Sequence, residues 1–236
     1  MEKNSDVTYS VSPTGEKFAI PQKENYAKEF KQLENQVNKA RKEGKEIVEQ
    51  QLTVLKKVIQ SVNIPVSVKL SPFYTNILKM VNDMDELGAK GFVLFNRLFQ
   101  PDIDIEKEEL VFPWFLSNEG DYRLSLRYTG LLYDNIKGDI CANTGILNGD
   151  DVIQMLLAGA DAVQVVSTLY KNGIGQVKNI INDINLWMDM KSYTKIDDFK
   201  GKISRKNVKD PFAYKRSQYV DILMQSDDIF KKYPMR

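Results

Sequence analysis

The chain has 236 residues, 33 of them basic and 32 acidic, a balance that leaves no electrostatic footprint for nucleic acid or an anionic membrane. At 42% hydrophobic and 10% aromatic it can bury a sizeable core, and no apolar run approaches the roughly 18 residues of a membrane span. With one cysteine, Cys141, and no histidine, it offers neither an internal disulfide nor the usual ligands of zinc or the base of a His-containing triad, so no metal site is expected.

The opening segment MEKNSDVTYS lacks the apolar core of a secretory signal, which together with the cysteine usage predicts a cytoplasmic protein. Two short runs around Pro13-Thr14-Gly15-Glu16 predict a hairpin. Tyr26, Phe30, Leu33 and Val37 then repeat at helical spacing, as do Leu52, Leu55, Ile59 and Val62 beyond Gly44. This reads as two amphipathic helices, or as one long helix weakened at Gly44. A docked arm with a solvated charged face is the plainer reading; a helix that recruits a partner chain is the sharper one.

The pattern changes near Asn63, which divides an N-terminal hairpin and helical arm (1–63) from a second part (64–236). IPVSVKLS is a strand candidate, NILKMVNDMDELGAK a helix closed by Gly88, and GFVLFN a second strand. DYRLSLRYTGLLYDNI is helical, and KGDICANTG holds a third strand. GDDVIQMLLAGA is helical, with Asn148 as N-cap and two acids in its first turn. DAVQVVST is a fourth strand and GQVKNIINDINLWMDM a further helix. Strands alternating with helices predict parallel βαβ units of an α/β protein. ELGAKG and LAGADA each close a helix just before a strand, as in the units of a TIM (β/α)8 barrel. In such a barrel the turns after the last strands hold phosphate through closely approaching backbone amides, which requires small residues. Thr144-Gly145 and Ser167-Thr168 suit that role, or are ordinary tight turns.

Three stretches carry a resemblance: IPVSVKLSPFYTN, GFVLFNRLFQPDIDIE and TGILNGDDVIQMLLAGADAVQVVSTLYKNG. In order and separation they resemble the C-terminal part of the dihydroorotate dehydrogenase-like FMN flavoproteins. That group includes class 1 dihydroorotate dehydrogenases and the flavin domain of dihydropyrimidine dehydrogenase. The resemblance runs from about Glu46 to Leu223 and implies the C-terminal part of a TIM barrel, about four βα units, binding FMN. It implies oxidation of dihydroorotate or a related dihydropyrimidine, in pyrimidine biosynthesis.

By this resemblance Lys69 matches the family lysine beside the flavin pyrimidine edge, where a cation stabilises negative charge on the reduced ring. Asn96 matches the asparagine that bonds the pyrimidine substrate or the flavin; taken alone, it is equally a turn residue. Thr144 and Gly145 stand where the family has Gly-Gly, and Ser167 and Thr168 where it has Gly-Thr, so these four are expected at the FMN phosphate. Arg97 follows Asn96 where class 1 enzymes carry a small polar residue, a departure that bears on orotate specificity.

Nothing in residues 1–63 resembles the earlier barrel strands or the loop that carries the family's Cys or Ser base, so the catalytic base is unassigned. A truncated, split or remodelled gene would read this way. Cys141 lies inside a strand, far from that loop, and reads as a small buried hydrophobe. Trp114 and Phe115 read as packing residues. Three functions remain open: an FMN oxidoreductase completed by a second copy or a complementing N-terminal half barrel, a non-catalytic flavin- or phosphate-binding half barrel, and a helical-arm interaction protein.

Overall fold

A computed structural model describes residues 8–11, 17–20, 23–97, 101–112, 115–215 and 231. It divides into two compact units, Met1–Val54 and Leu55–Arg236. The boundary between these units falls within a helix, and Leu55, the first residue of the second unit, is 7% exposed.

In the first unit β1 (Thr8–Val11) pairs antiparallel with β2 (Lys17–Ile20), Thr8 opposite Ile20 and Val11 opposite Lys17. The turn expected between them lies outside the described residues. A single helix follows, α1 (Lys23–Ser61), continuous through Gly44. One glycine costs about 1 kcal/mol of helix propensity, too little to break so long a run. Exposed ion pairs Lys39–Glu43, Lys42–Glu46 and Lys45–Glu49 step along its surface at 3.7–3.9 Å.

The second unit is built on four parallel strands: β3 (Ser67–Leu70), β4 (Gly91–Leu94), β7 (Asp139–Ala142) and β8 (Ala162–Val163). Their order in the sheet follows the chain, as in consecutive βα units. Ser67, Gly91 and Asp139 lie in register at one end, and Leu70, Leu94 and Ala142 at the other. The connections are α2 (Ile77–Glu86), α3 (Arg123–Leu132) and α4 (Gly149–Ala158). α5 (Ser167–Asn172) and α6 (Gln176–Lys191) follow β8. The α/β class and the four βα units expected from the sequence are therefore present. Among the described residues β3 pairs only with β4, and β8 only with β7.

β4 is buried at every position, as a strand covered on both faces must be. The repeated Gly-Ala corner has a physical cause: Gly88 (φ 102°) and Gly159 (φ 116°) take left-handed conformations that let the chain leave a helix and enter a strand at once. A hairpin that alternation alone did not reveal, β5 (Asp102–Asp104) with β6 (Glu109–Val111), interrupts the β4–α3 connection. Its turn is held by the Asp104 carboxylate, which accepts from Glu106 N and Lys107 N at 3.0 and 3.1 Å.

The core between α4, α6 and the sheet gathers Ala142, Ile146, Met155, Ala160, Ile180 and Phe199. The segment after α6 is tied onto α4, Gly201 N donating to Leu156 O and Ile203 N to Leu157 O. No helix among the described residues is long and apolar enough to cross a membrane.

α4 starts with a full capping box. The Asn148 side chain accepts from Asp151 N at 3.0 Å, while the Asp151 carboxylate accepts from Leu147 N at 2.8 Å and Asn148 N at 3.3 Å. Asn148→Ala is expected to cost about 1 kcal/mol in urea unfolding, the scale of a lost N-cap. A change below about 0.3 kcal/mol would show that the cap is redundant.

Candidate active site

At the C-terminal ends of the parallel strands lies a cavity of about 620 Å³. Each strand delivers residues to its lining: Lys69 from β3, Asn96 and Arg97 from the end of β4, Asn143, Thr144 and Gly145 after β7, and Gln164, Val166 and Ser167 after β8. The sheet ladder continues one step past the strands. Asn96 N donates to Leu70 O at 2.6 Å, Asn143 N to Leu94 O at 2.8 Å, and Gln164 N to Ala142 O at 2.9 Å. These bonds fix where the three amide side chains begin. Ser125 donates to Leu94 O at 2.7 Å, and Phe95 meets Tyr128 edge to face at 5.4 Å.

The two small-residue corners differ. Thr144 and Gly145 both have positive φ, 74° and 73°, and the Thr144 hydroxyl donates to Phe95 O at 3.0 Å. Gly145 is required here: a Cβ on it would sit 2.5 Å from Tyr122 N and 2.7 Å from Asp121 Cβ. At the second corner Ser167 lines the cavity and its Oγ accepts from Ser117 N at 2.8 Å. Thr168 does not line it. Its hydroxyl is fully buried, donates to Leu147 O at 2.7 Å and accepts from Asn172 Nδ2 at 3.0 Å. Of the six residues that the resemblance assigns to cofactor and substrate, the cavity gathers Lys69, Asn96, Thr144, Gly145 and Ser167 and leaves out Thr168.

A loop of residues 115–121 closes one wall. Arg97 donates to Phe115 O at 3.0 Å and Ser117 Oγ at 3.3 Å, and faces the Asp121 carboxylate at 3.4 Å. Lys171 donates to Ser117 O at 2.7 Å. Phe115, read from the sequence as packing, lines the cavity and is 42% exposed; Trp114 lies outside the described residues. Asn143, Gln164, Arg97 and Asp121 were not assigned from the sequence. Asn143 and Gln164 sit one position past strand ends and Arg97 three, which is the signal that finds them.

Cys141 is not part of the lining. Burial pushes its thiol above the ordinary value, against an opposing pull from the Lys69 charge, which suits a packing residue more than a base. Among the described residues no group of three His, Cys, Asp or Glu is placed to hold a metal.

Parallel βα units with polar residues converging on a cavity at the strand ends define an α/β protein whose cavity lies where such folds carry their ligand sites. Residues 23–188 match the family model described as dihydroorotate dehydrogenase, and the chain belongs to that family. It is 32% identical over 134 residues to the catalytic subunit of dihydroorotate dehydrogenase B (NAD(+)) of Methanocaldococcus jannaschii, covering 56% of this chain and 44% of that one. It is 29% identical over 167 residues to dihydroorotate dehydrogenase (fumarate) of Saccharomyces bayanus, covering 64% and 51%. The chain thus spans about half the length of the curated relatives it matches. A crystal structure of the Eimeria tenella dihydroorotate dehydrogenase in complex with ferulenol aligns with a TM-score of 0.45 at 21% identity, over 57% of this chain and 37% of that one.

Proposed function

We propose that the cavity is an FMN site and that the chain is the flavin-binding part of an oxidoreductase acting on dihydroorotate or a related dihydropyrimidine. The observation that carries this reading is the gathering of Lys69 and Asn96 with the Thr144-Gly145 corner and Ser167 in one cavity. Its volume lies inside the ~300–1,000 Å³ usual for ligand pockets, and its lining combines aromatic and apolar walls with a few polar groups. The residues present fit the group. Bound FMN supplies the hydride acceptor. The Lys69 ammonium, which makes no hydrogen bond or ion pair among the described residues, provides positive charge where the reduced ring gains negative charge. The Asn96 amide offers one donor and one acceptor to an edge of alternating C=O and N–H groups. Thr144 and Gly145 supply the compact turn.

Lys69→Ala is expected to lower the flavin reduction potential by about 30 mV, equivalent to about 1.4 kcal/mol for a two-electron couple. Spectroelectrochemistry of the holo-protein checks this, and an unchanged potential counts against the assignment of Lys69. The reading as a whole is tested by reconstitution. Flavin absorbance should follow the purified protein after incubation with FMN, and dihydroorotate should reduce an artificial acceptor.

A second reading, a flavin-binding half barrel without catalysis, draws support from the lining. Among the described residues of the lining the one carboxylate, Asp121, is engaged by Arg97 and by Asn118 N at 3.0 Å. Bound flavin without dihydroorotate turnover would select it. The one-sided pairing of β3 and β8 supports completion by a second copy or a complementing N-terminal half, since unpaired edges invite pairing. Light scattering distinguishes these from a monomer.

A further inference from the structure

The residues assigned to flavin above leave two charged groups of the cavity unused, Arg97 and Asp121. We propose that Arg97 is the cation that takes the phosphate group of the bound flavin, and that Asp121 occupies its guanidinium until the phosphate arrives. This rests on the flavin reading of the cavity.

Asp121 lies against both Arg97 and the Thr144-Gly145 corner. Its carboxylate lies 3.4 Å from Arg97 Nη2, and its Cβ lies 2.7 Å from the space a side chain would take at Gly145. The cation therefore stands one side chain away from the small-residue corner. The hydroxyls of the two corners are largely committed, Thr144 donating to Phe95 O and the buried Thr168 to Leu147 O, while Ser167 Oγ accepts from Ser117 N. Arg97 is not exhausted by its contacts. A guanidinium carries five N–H donors in a planar fork: Nη1 spends its two on Phe115 O and Ser117 Oγ, while Nη2 faces only the Asp121 carboxylate, so the Nη2–Nε edge can take two parallel bonds once Asp121 gives way.

Charge favours the exchange. The Arg97–Asp121 pair is about one-third exposed on both sides, where such pairs are weak. A phosphate brings more negative charge and a geometry the guanidinium fork matches with two parallel bonds. The displaced Asp121 carboxylate keeps its bond from Asn118 N at 3.0 Å, so it is not left without a donor. Without the exchange, the carboxylate would stand beside the corner and repel the same phosphate.

The test compares FMN with riboflavin, which lacks only the phosphate, by titrating flavin fluorescence against wild type, Arg97→Gln and Asp121→Asn. Wild type should prefer FMN by about tenfold or more, Arg97→Gln should bring the two flavins close to parity with riboflavin affinity unchanged, and Asp121→Asn should raise FMN affinity about threefold with riboflavin again unchanged. An FMN preference that survives Arg97→Gln overturns the proposal. So does an equal loss of both flavins, which would make Arg97 a brace for residues 115–121. If Arg97→Gln does not fold, Asp121→Asn decides, and an FMN affinity that stays level or falls overturns it. Wild type that binds both flavins equally rejects the phosphate role while leaving the flavin site standing. Wild type that binds neither removes the flavin reading and this proposal together.

Discussion

Gly145→Ala is expected to destabilise the second unit by about 3 kcal/mol and to lose most flavin binding. The added methyl would meet Tyr122 N at 2.5 Å and the Asp121 carbonyl carbon at 2.8 Å, both backbone atoms that cannot rotate away. The φ of 73° adds a left-handed penalty that glycine does not pay. Each contribution is about 1–3 kcal/mol in comparable settings. Gly145→Val should be worse still, because branching narrows the available rotamers. From the sequence, the expected obstacle was the approach of a phosphate; in the fold the first obstacle is the chain itself, at Asp121-Tyr122. Cys141→Ser, in the half-buried part of β7, should by comparison retain flavin. Urea unfolding combined with flavin titration reads both effects. Equal stability and equal retention in Gly145→Ala and Cys141→Ser would disprove the close packing at this corner.

Phe199→Ala should cost about 3–5 kcal/mol, the range for a buried phenylalanine truncated to alanine. Phe199 is 1% exposed and closes the core around Met155, Leu156 and Ile180. Its ring stands 5.0 Å from Trp187 and 5.2 Å from Tyr193, so truncation also removes two aromatic partners. The cavity left behind would loosen the segment whose Gly201 and Ile203 amides bind the end of α4. The melting temperature should fall by about 10 °C for a unit of this size. Ile203→Ala, at a residue 49% exposed, is the control and should change it by no more than a degree or two. A Phe199→Ala protein that melts with wild type would mean the C-terminal segment does not hold the core together.

The four strands and the helices between them were legible because buried parallel strands write short apolar runs and their helices write a 3.6-residue period. The length of β8 was not. DAVQVVST reads as one run, yet the strand is only Ala162–Val163, and beyond the one further ladder bond from Gln164 N the residues Gln164, Val166 and Ser167 line the cavity. The β5–β6 hairpin escaped because strands of three residues leave too short an alternation. Asp104, with Glu106 and Lys107 beyond it, was the available sign. Within the site, Lys69, Asn96, Thr144, Gly145 and Ser167 were found from motif positions at strand ends. Thr168 was not separable from Ser167 in the sequence. α5 begins at Ser167, and one helical step of about 100° carries the next side chain from the cavity to the carbonyl of Leu147. Asp121 and Ser117 were invisible for another reason. They reach the site from a loop many residues before β8, and only the folded chain brings the Ser117 amide to Ser167.

The unbroken helix α1 has a consequence for solvent exchange of its backbone. From Lys31 to Ile47 every residue whose side chain is described is exposed, whereas Leu52 and Ile59 are half-covered and Leu55 is buried. Where the described side chains of a helix are all exposed, its own ladder and weak i,i+4 pairs carry most of its stability, and it opens easily. Deuterium should therefore enter the amides of Lys42–Ile47 rapidly and those around Leu55 slowly. One continuous helix then contains two kinetic regimes, a labile arm and an anchored root, with the change falling a few residues beyond Gly44.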